Sequence, residues 1–240
     1  MITLQEIFDD LASGEFTSMS LGNSALGSIV EAQYPKVVSS LNLGLLELYK
    51  RFKLKQKECT VHQHADVTTY YLRTDYLGPV ADLDDEAYIV EVEDDPFEDD
   101  IIRILEIYDA DNEVIPLNDY RYPDTGVFLL AFDTLSMVPA DPVEVRTIVY
   151  QARYPKIILT DPFDPKDIEL YFPDFIKEAL LLYMASRIYK GKTCKAAEGT
   201  QNLGITFLAQ FEAACKRLEQ LGLAETRDLA HERFAAKGWV

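Results

Sequence analysis

The stretch EVEDDPFEDD, residues 91–100, gathers Glu91, Glu93, Asp94, Asp95, Glu98, Asp99 and Asp100. Carboxylate oxygens are the ligands Ca²⁺ and Mg²⁺ prefer, so this is the densest candidate for divalent-cation chemistry. Its spacing matches no EF-hand loop, and Pro96 interrupts it. A solvated acidic loop and a docking or channel-facing surface are the competing readings. DADNE, residues 109–113, lacks the glycine and the distant bidentate Glu of a calcium loop and reads as a β-turn. His62 and His64 are two apart and share a face on a strand, which offers a pair of zinc ligands without a third. Cys59 points to the opposite face of such a strand, and His231 stands alone.

Cys59, Cys194 and Cys215 are odd in number, with no CxxC pair. That spacing predicts free, packed thiols made in a reducing cytoplasm rather than a disulfide framework. GxSxG, P-loop, Rossmann and HExxH patterns are all missing. The sequence therefore assigns no catalytic, cofactor or metal residue. The one basic run, KRFKLKQK, closes a helix, where positive charge favours the helix dipole. Its Lys50, Arg51, Lys53 and Lys55 are candidates for contact with a partner. So are Arg233, Phe234 and Trp239 near the C-terminus.

The elements that must position these groups follow from periodicity. Thr3 can cap a short helix over 4–11, with Glu6 in the reciprocal position. Val37, Leu41, Leu45, Leu48 and Phe52 make one helical stripe over 36–52. That helix could begin near Ser24 or Ala25, with a break or kink at Pro35. Residues 58–160 then alternate as strands, with a hairpin at 101–117 and a long run over 142–159. In that run Val143, Val145, Thr147 and Val149 share a face. Helix returns after Pro173 to about Gly191, and again from Asn202 to Leu221 with Gly222 as C-cap. The amphipathic segment beyond carries the only Trp.

The helix ending at Phe52 has a wide apolar face and no helical neighbour for over a hundred residues. Its partners are therefore the helices beyond 170. The reading is an α+β chain: a discontinuous helical bundle, 1–57 plus 161–222, with an antiparallel β domain, 58–160, inserted and an arm at 223–240. Splitting a bundle this way costs loop-closure entropy that grows only logarithmically.

This layout resembles the head-to-tail adaptor (gatekeeper) proteins of short-tailed bacteriophages, of the tail tubular protein A type. YPKVVSSLNLGLLELYKRF before the β region and FPDFIKEALLLYMASRIYKG after it carry the resemblance. TFLAQFEAACKRLEQLGL and the terminal HERFAAKGWV complete it. The resemblance implies a structural virion protein made in the host cytoplasm and placed in the virion tail, with no enzyme activity and no cofactor. It implies a homo-oligomer, a dodecameric ring beneath the phage portal protein, that extends the DNA channel and seats the tail nozzle protein. DNA would pass through without specific binding.

Charge fits that expectation. Forty-one acidic and 23 basic residues give −18. So negative a chain does not favour simple wrapping of nucleic acid, which relies on Lys and Arg meeting phosphate. The acidic N-terminal residues predict no secretory leader, and no run approaches the ~18 apolar residues of a membrane span. Two other function classes compete: an acidic binding module, such as a DNA mimic that inhibits a nucleic-acid enzyme, and a metal-dependent hydrolase built on residues 91–100.

Overall fold

A computed structural model of the chain describes residues 2–13, 22–23, 28–84, 86–93, 95–122, 126–140, 143–190, 193–196 and 199–222. The chain is α+β and divides into two compact units, Met1–Leu54 with Lys156–Val240, and Lys55–Pro155.

The first unit holds α1 (Leu4–Ser13), α2 (Tyr34–Arg51), α3 (Lys177–Ile188) and α4 (Leu203–Gln220). Thr3 Oγ1 caps α1, accepting from the Glu6 amide at 3.2 Å, and Ile2–Thr3 pairs antiparallel with Glu169–Leu170. α2 begins at Tyr34, after a 3₁₀ turn at Glu31–Gln33, so Pro35 sits in its first turn and bends nothing. That corrects the expectation of a start near Ser24 and a kink. Residues 24–27 lie outside the described residues, and Ser28–Ile29 pairs with Gly22–Asn23 as a short strand. Proline at a helix start is tolerated because its missing N–H has no intrahelical acceptor there.

The stripe of α2 is buried: Val37, Leu41, Leu45, Leu48 and, just past the end, Phe52. It rests on α3. Gly44 makes the approach possible, since a Cβ there would come within 2.8 Å of Leu180 Cδ1 and 3.2 Å of Tyr183 Cδ1. α3 and α4 form a helical hairpin joined through the paired strands Thr193–Ala196 and Gly199–Asn202. The rings of Tyr183 and Phe211 meet at 5.1 Å and those of Tyr189 and Phe207 at 5.7 Å. Asn202 Oδ1 caps α4 through the Gly204 amide, and Gly222 ends it in the left-handed region at φ 65°. α3 is shorter than expected, stopping at Ile188, and Phe175 and Arg187 from its predicted rows are exposed.

The second unit is strand-built: β1 (Gln56–Gln63), β2 (Thr69–Tyr71), β3 (Leu77–Gly78), β4 (Ile89–Val90), β5 (Ile101–Tyr108), β6 (Phe128–Ala131), β7 (Thr134–Ser136) and β8 (Glu144–Ala152). One sheet runs β3-β4-β1-β8-β5, the other β2-β7-β6, and both feed one apolar core. The named strands pair antiparallel except for β3 with β4, and the isolated bridge of Leu117 with Val127 is also parallel, both exceptions to the antiparallel expectation. In β8 the buried side is Ile148, Tyr150 and Ala152; the Val145, Thr147 and Val149 side is half-buried and Val143 is exposed. Asp109 Oδ1 closes the turn after β5 by accepting from the amides of Asp111 and Glu113 at 2.9 Å each, with Asn112 at φ 61°. DADNE is thus a hairpin turn.

If α2, α3 and α4 share one core, Phe211→Ala should lower stability by about 3–5 kcal/mol, the usual cost of an emptied aromatic site. Urea unfolding followed at the helical dichroism band should show the lower midpoint; a loss under about 1 kcal/mol would mean Phe211 packs on nothing essential.

Candidate functional site

Among the described residues, the cations expected to meet a partner take different roles. Lys50 is exposed, 3.9 Å from Glu47. Arg51 is turned onto α4, with Nη1 2.6 Å from Glu212 and Nε 2.8 Å from Glu219. Those carboxylates, Glu219 first, push the guanidinium pKa upward and tie α2 to α4. Lys53 is half-buried in the first unit and Lys55 half-buried in the second. Arg233, Phe234 and Trp239 lie outside the described residues.

The last cation of the run, Lys57, takes a different role. On β1 the inward positions are Lys57, Cys59, Val61 and Gln63. The Lys57 side chain is 2% exposed; its Nζ donates to the Pro96 carbonyl at 2.6 Å and lies 3.0 Å from Asp95 and 3.6 Å from Asp100. Asp100 is itself buried, and its Oδ1 accepts from the Tyr150 hydroxyl at 3.0 Å. Burial, then the Asp100 charge, drives the Tyr150 pKa up. A buried cation needs opposite charge and hydrogen bonds to offset its lost hydration, and the acidic stretch supplies them. Asp99, at φ 52°, accepts from the Thr74 amide and hydroxyl at 2.7 Å each. The acidic segment is therefore fastened to its own unit at Asp95, Asp99 and Asp100 rather than solvated throughout; Asp94 lies outside the described residues.

Burial, then the neighbouring His64, lowers the pKa of half-buried His62. Among the described residues no group of three His, Cys, Asp or Glu side chains is placed to hold a metal ion. Burial raises both described thiols, Cys59 to about 12, helped by Asp100, and Cys215 to about 11. Of Cys194 only the backbone, in a strand, is described.

One feature escaped the sequence reading. A groove of about 570 Å³ opens between α3 and the first half of α4, lined by Tyr183, Arg187, Lys190, Ile205, Leu208 and Phe211, among others. Ile205 and Leu208 fall off the stripe that buries Phe207, Phe211, Ala214 and Leu218. Two apolar residues on an otherwise polar helix face were the available signal. No protein-family model and no curated protein matches the chain.

Two predictions follow from the buried groups. Lys57→Met leaves Asp100 buried without its cation and should cost about 3–5 kcal/mol, whereas Lys57→Met with Asp100→Asn should regain most of it. A double-variant loss equal to the sum of the separate Lys57→Met and Asp100→Asn losses, read by chemical denaturation, would show that the pair is not coupled. Native protein at neutral pH should leave Cys59 and Cys215 unlabelled by a thiol reagent, and unfolding should release them. A thiol whose folded pKa is raised lets the unfolded state ionise first. Stability should therefore fall as pH climbs from the ordinary thiol range toward 12, and a rise over that window would contradict the assignment.

Proposed function

We propose that the chain is a structural virion component, a head-to-tail adaptor that forms a ring beneath a portal and continues the DNA path toward the tail. The observation that carries this reading is the packing of α2 on α3 and α4 across an insertion of about a hundred residues, the layout the resemblance implies. A net charge of −18 per copy also suits a tube wall that must release DNA rather than hold it. Ring closure needs a heterologous contact between unlike surfaces of neighbouring copies. Lys50 and Lys53 are the cations of the basic run that remain available for such a contact on the helical unit, since Arg51 is spent within it.

Mixing the protein with portal rings tests the reading. Twelvefold decoration of the portal in electron micrographs is the expected result. Lys50→Glu should weaken that decoration while leaving the melting temperature nearly unchanged, because Lys50 is exposed and surface charges contribute little to stability. Portal rings that stay bare at every ionic strength would overturn it.

A further inference from the structure

The seam between α3 and α4 is covered along only part of its length. α2 crosses it with Gly44 against Leu180 and Tyr183, and ends with Arg51 bonded to Glu212 and Glu219. Toward the start of α4 nothing among the described residues lies over the seam, and apolar side chains face water: Ile205 is 67% exposed and Leu208 44%. Together with Tyr183 and Phe211 they give the groove its apolar lining, and Glu47, Glu212, Arg187 and Lys190 give it charges of both signs.

We propose that residues 223–240 of the same chain occupy this groove, with Phe234 and Trp239 as the apolar anchors. The segment has the chemistry the groove needs. Leu229, Phe234 and Trp239 bring apolar and aromatic surface, the residue types that dominate binding energy when buried in a pocket. Arg233 and Lys237 stand beside the anchors and can meet Glu47 and Glu212; Glu225, Asp228 and Glu232 can meet Arg187 and Lys190.

Reach is sufficient. The segment starts at Gly222, whose left-handed φ of 65° turns the chain out of α4. Leu208 lies 14 residues before Gly222, roughly 21 Å back along the helix. Eighteen residues follow Gly222, and extended they span up to about 60 Å, enough to pass the end of α2 and enter the groove. The tether also holds the anchors near the groove at an effective concentration in the millimolar range, so a contact too weak between separate molecules is filled within one. A second copy has no such advantage. The proposal does not rest on the adaptor reading; a partner that uses Phe234 or Trp239 must first draw them out of the groove.

Trp239 is the only tryptophan in the chain, so its fluorescence reads the segment directly in the full-length protein. The expected result is an emission maximum well to the blue of the urea-unfolded chain, shielded from acrylamide and independent of protein concentration. Ile205→Glu with Leu208→Glu changes exposed residues, so helical dichroism should persist. Emission should then move to the unfolded position, with acrylamide quenching rising several-fold. Wild-type emission already at the unfolded position overturns the proposal, as does a blue-shifted emission that the double variant leaves unmoved. A blue shift that grows with concentration alongside dimers in sedimentation assigns the groove to a second copy and also overturns it. None of these measurements involves a portal, so their outcome is separate from that of the decoration experiment.

Discussion

The structure depends on one ladder. β1 and β8, the first and last strands of the second unit, pair along their whole length from Gln56 with Gln151 to Gln63 with Glu144. Just beyond, the Ala152 amide donates to the Lys55 carbonyl at 3.0 Å. The chain therefore leaves the helical unit and comes back to it through adjacent strands. A free loop of ~100 residues would cost about 4 kcal/mol to close. Here the strand pairing already holds the two ends together, so α2 can find α3 and α4 as though the intervening residues were a short turn. The returning chain is then held to the helical unit by Asn42, whose side chain donates to the Ile157 carbonyl and accepts from the Ile157 amide, each at 2.9 Å.

Within the helical unit, close approach and charge divide the labour. Gly44 lets α2 lie close against Leu180 and Tyr183, where a side chain would press on Leu180 Cδ1 and make it shift. Arg51 and Glu178 then fix how the helix ends meet, the first through Glu212 and Glu219, the second through Arg217. Such exposed pairs add little energy but select one alignment over others. In the strand-built unit a single buried cation, Lys57, organises the acidic segment that in sequence looks like a metal site. Both cases turn charge that seemed free for a partner into internal structure.

Much of the fold was legible because helices and long strands write their period into the sequence. The stripe from Val37 to Phe52, the cap at Thr3, the Asn202 start and the Gly222 stop each rest on local chemistry and lie where that chemistry puts them. Pro35 was misread because a proline at a helix start and one in a kink look alike until the preceding residues are placed. The short strands β3 and β4 were not legible, since two residues carry no period, and neither was their parallel pairing. Charged groups were the least legible. Lys57 belongs to the run KRFKLKQK by sequence, but its strand parity puts it inward with Cys59 and Val61. Arg51 looked like a surface contact, and only the position of Glu212 and Glu219 on a helix far along the chain makes it internal.

Two tasks are thus distinct, closure of the chain by the β1–β8 ladder and packing of the helices on one another. The most direct measurement removes residues 55–155 and joins Leu54 to Lys156 through a short flexible linker. If the ladder's task is only to bring the ends together, the remaining chain should be helical and unfold in one cooperative transition that Gly44→Val lowers. A chain without cooperative unfolding would contradict the account, because the helices would then need the strand-built unit for more than closure.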